Sequence, residues 1–289
     1  MIIEEIPLVF DCQGSPLIGI IHLPEIPAKR GILAFAAGGP QYRAGVSRQL
    51  VYSAREISGQ GIPFMRFDYR GMGDGCGPFR GYRCVEEDIR SAIKAFLKAV
   101  PDLSEIILWG GCDAATAVML NAWRYPEVVG MIIANPFTVS KTAEKASLRS
   151  YYFQRLWDRS FWRKVFRGSY NPLSLLKAVS KTDDIVTRPL VTTLEQENDD
   201  SFVPKMLEGM NAYKGCVLLL TNDQNFIGRR FSQLIKQNLK WRTVMRQPSV
   251  THINLRCSGR EFAMVEARGV MISVVASWLA KWPSEQIQG

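Results

Sequence analysis

The hydrophobic positions change period along the chain. Glu4 to Asp11 and Leu17 to Leu23 alternate on either side of a Gly14-Ser15-Pro16 turn, which predicts an opening hairpin. Gly31 to Ala36 is a short, continuously apolar strand that runs into Gly38-Gly39-Pro40. Val46 to Ser58 then places Leu50, Val51, Ala54 and Ile57 at helical spacing, and the break from Gly59 to Gly61 ends it. From there strand and helix alternate. The pattern predicts strands over Ile62 to Phe67, Ser104 to Gly110, Val128 to Ala134, Cys216 to Thr221 and Arg242 to Arg246. Between them it predicts helices over Val85 to Ala99, Ala115 to Trp123 and about Gly228 to Gln237, with a last long helix from about Glu261 to Lys281. Strands alternating with helices imply an α/β protein, a mostly parallel sheet covered on both faces and entered through an antiparallel hairpin.

One stretch breaks this rhythm. Between Phe137 and Gly215 no apolar strand pattern appears, and residues 141–170 are rich in aromatic and basic side chains. This predicts a helical cap, residues 139–210, inserted after the sixth strand, with residues 1–138 and 211–289 forming the core. The stretch from Thr182 to Asp200 is polar and reads as a loop.

Composition adds little that conflicts. A 47% hydrophobic, 22% charged chain of 289 residues can bury a sizeable core. The first residues, Met1-Ile2-Ile3-Glu4-Glu5, carry acids where a secretory signal would be basic, and no apolar run approaches about 18 residues. A cytoplasmic location is therefore expected. Six scattered cysteines without a CxxC, and only two histidines, predict reduced thiols rather than a metal site or a disulfide framework. The net charge of +9 suits an anionic partner. No nucleic-acid-binding module is recognisable, and nothing calls for a cofactor.

The candidate chemistry centres on Trp109-Gly110-Gly111-Cys112-Asp113-Ala114-Ala115. A nucleophile elbow holds its reactive residue in a strained turn between a strand and a helix, and the residues two before and two after it must be small. Gly110 and Ala114 meet that requirement around Cys112. A cysteine nucleophile needs a base, and the base needs a carboxylate. His22 lies in the opening hairpin and reads as structural. His252 lies after the last predicted strand and before the last helix, where the histidine of a nucleophile–acid–histidine order belongs. Asp223 follows directly on an apolar strand, whereas Glu195, Glu197, Asp199 and Asp200 fall in the insertion, and the end of the preceding strand carries the uncharged Asn135. The expected triad is Cys112-His252-Asp223. An oxyanion needs two fixed N–H donors, each worth on the order of 3 kcal/mol. The backbone of Asp113 and of Gly39 should supply them, since Pro40 has no N–H. Tyr42 and Arg43, beside that loop, could touch an anionic substrate.

Gly38-Gly39-Pro40-Gln41-Tyr42-Arg43, then Arg66-Phe67-Asp68-Tyr69-Arg70-Gly71-Met72-Gly73-Asp74, the Cys112-Asp113-Ala114-Ala115 elbow and Leu148-Arg149-Ser150-Tyr151-Tyr152 together resemble the α/β-hydrolases called exosortase A system-associated hydrolase 1. The resemblance covers nearly the whole chain. It implies an α/β-hydrolase fold and a setting of exopolysaccharide and protein-sorting genes that includes an acyl-activating ligase. Two positions depart from the family pattern: Gly75-Cys76-Gly77 lacks a serine, and Thr251-His252-Ile253 stands where His-Thr-Phe is usual. The Asp68-Tyr69-Arg70-Gly71 turn is common in this fold, with Asp68 and Arg70 expected to brace loops.

A thiol nucleophile forms a thioester, and the helix N-terminus behind it favours the thiolate, which the Asp113 side chain would oppose unless it points away. Thiolate leaves more readily than alkoxide, so activated acyl donors, thioesters or reactive esters, are the expected substrates. The reading is an acyl hydrolase, or an acyltransferase drawing on CoA or a carrier protein. The cations Lys141, Lys145, Arg149, Arg155, Arg159, Arg163, Lys164 and Arg167, against Glu144 and Asp158, could instead make the insertion a docking face for CoA phosphates, an acyl carrier or anionic lipid headgroups. On that footing a non-catalytic binding protein is the competing expectation.

Overall fold

The structure, a computed structural model, describes residues 2–36, 42–138, 202–255 and 265–282. It contains one eight-stranded sheet: β1 (Ile3–Cys12), β2 (Ser15–Pro24), β3 (Arg30–Phe35), β4 (Phe64–Asp68), β5 (Glu105–Gly111), β6 (Val128–Ala134), β7 (Cys216–Thr221) and β8 (Val250–Asn254). Their spatial order is β1-β2-β4-β3-β5-β6-β7-β8. β2 runs antiparallel to both β1 and β4, and every later pairing is parallel. The hairpin turn sits one or two residues earlier than its Gly-Ser-Pro signal suggests. Gln13 and Gly14 both take positive φ, the conformation a two-residue turn needs, and Ser15 and Pro16 already belong to β2.

Seven α-helices flank this sheet among the described residues: α1 (Gln49–Ser58), α2 (Glu86–Ala99), α3 (Asp113–Asn121), α4 (Phe202–Ala212), α5 (Phe226–Gln237), α6 (Leu239–Val244) and α7 (Val265–Ala280). Side chains along a strand alternate between faces, and the two cores divide accordingly. Leu33, Phe35, Ile106, Leu108, Ile133 and Leu219 face α2 to α6, while Ile32, Ala34, Ile107, Trp109, Ile132 and Leu218 face α1 and α7. Both layers are needed because inner strands such as β4 and β6 are buried at every position.

Two expectations are corrected. Arg242 to Arg246 is not a strand. Asn238 caps a helix there by accepting from the N–H groups of Lys240 (3.0 Å) and Trp241 (3.3 Å), and Trp241 and Val244, three apart, bury on one face. The last strand is instead Val250–Asn254, so His252 lies within a strand and not in a loop beyond it. The insertion also ends earlier than residue 210. Helix α4 buries Phe202, Met206 and Met210 in the core, and Gly209 lies so near the Met119 carbonyl that a Cβ there would sit 2.2 Å from its oxygen. By contacts the chain divides into Met1–Thr138 with Ser201–Gly289, and Val139–Asp200. The expected cap over 139–200 lies outside the described residues.

Candidate active site

Cys112 stands at the turn from β5 into α3 with φ +54° and ψ −117°, a combination that non-glycine residues rarely adopt. Its surroundings hold it there. Its N–H donates to the Ala134 carbonyl (2.9 Å), and its carbonyl accepts from the N–H groups of Thr116 (3.2 Å) and Phe137 (3.3 Å). Thr116 Oγ1 fastens the neighbouring segment by donating to the Phe137 carbonyl (2.7 Å). Gly110 is obligatory, because a Cβ on it would lie 2.4 Å from the Ala114 carbonyl group. The small residues on both sides of the cysteine are thus a packing requirement of the sharp turn.

The thiol faces a carboxylate. Cys112 Sγ donates to Asp113 Oδ1 at 3.3 Å, so the Asp113 side chain points toward the sulfur. Tyr82 lies close enough for both groups to bear on its phenol. Burial, with the negative charges of Asp113 and Cys112 adding to it, holds that phenol up at about 12 despite the opposing effect of Arg83. The Tyr82 ring meets Phe137 edge to face at 6.5 Å, which brings two aromatic rings to the elbow. Neither was singled out in the sequence, because nothing in a Gly-Tyr-Arg-Cys stretch ties it to residue 112.

The expected acid and base do not meet. Asp223 sits two residues beyond β7, as predicted, but its Oδ1 accepts from Ser232 Oγ (2.7 Å) and its Oδ2 from Asn254 Nδ2 (2.5 Å). His252 Nε2 is bonded to Thr221 Oγ1 at 2.9 Å, and the ring lines an open groove of about 320 Å³ with Ile235, Lys236, Arg242, Met245 and Arg246. Loss of hydration on part of the ring lowers its pKa, which the Asp223 charge partly offsets. The other histidine is structural, as expected: His22 Nε2, on β2, accepts from Arg66 Nε of the neighbouring β4 (2.9 Å), and burial beside that guanidinium lowers its pKa to about 4. Neither histidine of the chain shares a hydrogen bond with Cys112. Asn254 was missed because the strand before it was placed too early. Measured from the end of β7, the partner of Asp223 had to come from the end of the next strand.

Asp68 and Arg70 brace loops as expected. Arg70 meets the Asp88 carboxylate through Nε (3.0 Å) and a terminal nitrogen (2.9 Å), and Asp68 accepts from the N–H groups of Arg43 (2.5 Å) and Asp74 (3.1 Å). The Arg43 guanidinium joins this cluster through Asp68 and through Asp74 at 2.7 Å. Arg43, expected beside a substrate, is thus held by two carboxylates. Tyr42 is 56% exposed, and Gly39 lies outside the described residues. The backbone N–H of Asp113 opens α3 beside the sulfur, the place a donor to an oxyanion must occupy.

Among the described residues, Cys12, Cys76 and Cys216 are free thiols. No cluster of histidine, cysteine and acidic residues among the described residues could hold a metal ion, and no described helix is long and apolar enough to cross a membrane.

No family model and no curated protein sequence matches the chain. Solved structures do match it in three dimensions. An esterase of Pyrococcus furiosus, Pf2001, superposes with a TM-score of 0.64 at 11% identity over 97% of this chain and 93% of its own. DcsB, solved with a substrate analogue, gives 0.62 at 14% identity over 96% and 99%. The proline iminopeptidase of Mycobacterium smegmatis gives 0.60 at 12% identity over 96% and 98%. With the strand order and the elbow, these likenesses identify the architecture: the chain has the α/β-hydrolase fold.

Proposed function

We propose that the chain is an acyl-group enzyme of this fold in which Cys112 is the nucleophile. The sulfur attacks the carbonyl carbon of an ester or thioester, the S–C bond forms, the bond to the leaving group breaks, and the leaving group departs with a proton. A thioester on Cys112 results, and passage of the acyl group to water or to another acceptor returns the thiol. The observation that carries this reading is the Cys112 backbone, held at φ +54° by contacts that fit only a sharp elbow. Asp113 N–H, with Gly39 N–H as the second donor, would stabilise the oxyanion, and Asp113 Oδ1 is the group beside the sulfur able to accept its proton. Activated donors suit a thiolate best, which points to CoA or carrier-bound thioesters before simple esters. Transfer of the acyl group to an alcohol is the same chemistry with a different acceptor. The resemblance to the exosortase-associated hydrolases suggests an acyl group of exopolysaccharide or sorting metabolism, in a reducing compartment.

A second reading keeps His252 as base with Asp223 behind it, because the Asp223 charge still favours the protonated ring. It requires His252 to leave Thr221 and Asp223 to leave Asn254.

Intact-mass measurement after incubation with acyl-CoA and nitrophenyl esters of graded chain length tests the proposal. A single acyl adduct on the wild type that is absent from Cys112→Ala is expected. No adduct across the panel would reject it.

A further inference from the structure

The sheet register fixes which residue stands across from the nucleophile. Gly111 pairs with Ala134, Ala134 with Leu220, and Leu220 with Ile253. Following the same rows one residue further, Cys112 lies level with Asn254 at the carboxyl edge of the sheet. His252 pairs with Leu219 and lies two residues, roughly 6.6 Å, back from that edge. In this fold the acid follows β7 and its partner follows in chain order from the end of β8. Asp223 and Asn254 fill those two places, joined by the 2.5 Å bond from Asn254 Nδ2 to Asp223 Oδ2.

We infer that Asn254 occupies the general-base position of this site and that the chain, lacking a base there, keeps the acyl group on Cys112 as a persistent thioester. The inference rests on the proposed acylation of Cys112. An amide nitrogen donates hydrogen bonds and has no basic lone pair, so Asn254 holds Asp223 in place without taking a proton. Attack on an activated donor needs only the sulfur and an oxyanion site, and Asp113 can receive the thiol proton. Hydrolysis is different: water must lose a proton as it attacks the thioester carbonyl, while the C–S bond breaks and the sulfur regains a proton. With Ser232 and Asn254 on the two oxygens of Asp223, and His252 on Thr221, no imidazole stands ready to take that proton. Among the described residues, the charged groups around this edge include Asp113 beside the sulfur, Asp223 and, in the groove that His252 lines, Lys236, Arg242 and Arg246. An acceptor carrying its own reactive amine or thiol would take the acyl group without a protein base, so the chemistry fits delivery of an acyl group better than its hydrolysis.

Asn254→His restores a base, and p-nitrophenyl butyrate provides the readout. Wild type should release one equivalent of nitrophenolate in a burst and retain a butyryl adduct. That adduct should decay in proportion to hydroxide, with no inflection between about pH 5 and 8. Asn254→His should shed its adduct at least about tenfold faster at pH 8, with a sigmoid pH profile centred near the ordinary imidazole value of about 6.5. The gain should persist in a His252→Ala background and vanish when Asp223→Asn is added. If Asn254→His does not fold, the wild-type decay profile decides alone. Rapid wild-type turnover with an imidazole inflection that His252→Ala removes would overturn the inference and leave the acylation of Cys112 standing. Absence of any adduct on wild type would instead remove the underlying proposal, and the inference with it.

Discussion

The Cys112 thiol donates to the Asp113 carboxylate across 3.3 Å, within a single turn of chain. That bond exists only while sulfur carries its proton, since a thiolate has nothing to donate. The same α3 N-terminus that favours an anionic sulfur therefore also places a competing anion beside it.

Asp113→Asn removes that competing charge and offers an amide donor in its place. Alkylation of Cys112 by iodoacetamide at pH 7.5, followed by peptide mapping to separate it from exposed Cys76, should become about three- to tenfold faster. An unchanged or slower rate would show that the carboxylate does not restrain the thiol.

Stability should fall in mild acid. An unfolded histidine ionises near 6.5, whereas His22 in the hairpin is held at about 4 by burial and by Arg66. Between those values the unfolded chain binds the extra proton. The folded state is therefore fully favoured above about pH 6.5 and loses on the order of 3 kcal/mol as pH drops toward 4. His252, also lowered, acts in the same direction. Urea midpoints at pH 7.5 and 4.5 measure the loss. His22→Gln, which retains an acceptor for Arg66, should show less of it.

The Arg70–Asp88 pair joins the loop after β4 to α2, with both side chains less than a tenth exposed. Asp88 also accepts from the Arg70 backbone N–H at 2.8 Å. Asp88→Asn leaves a buried guanidinium without its counter-charge, and a loss of about 3 kcal/mol in urea unfolding is expected. The Arg70→Met, Asp88→Leu double variant should recover part of it, because removing both charges removes the cost of burying either.

The sheet and its helical layers were legible because their apolar runs are long and each is closed by its own breaker. Helix α6 was not. Its Trp-Arg-Thr-Val-Met-Arg sequence offers apolar residues at both helical and alternating spacings, and what decides between them is Asn238, whose capping role is invisible without the fold. That one slip displaced β8 and put His252 in a loop it does not occupy. The elbow, by contrast, was legible to the residue, since the crowding of Gly110 against Ala114 is a local matter. The partners of Asp223 were not, because they come from α5 and β8 and depend on a register no local pattern encodes. The place of Asp223 after β7 was legible from its strand, and the pairing of Arg43 was not, because its two acidic partners lie 25 and 31 residues away.

The positive φ at Cys112 also has a cost in durability. A side chain at that φ costs on the order of 1–3 kcal/mol that glycine would not incur. Cys112→Gly should therefore unfold at a higher urea concentration than the natural chain while losing the sulfur on which the proposed acylation depends. The cysteine stands where the protein is made less stable by the residue it carries.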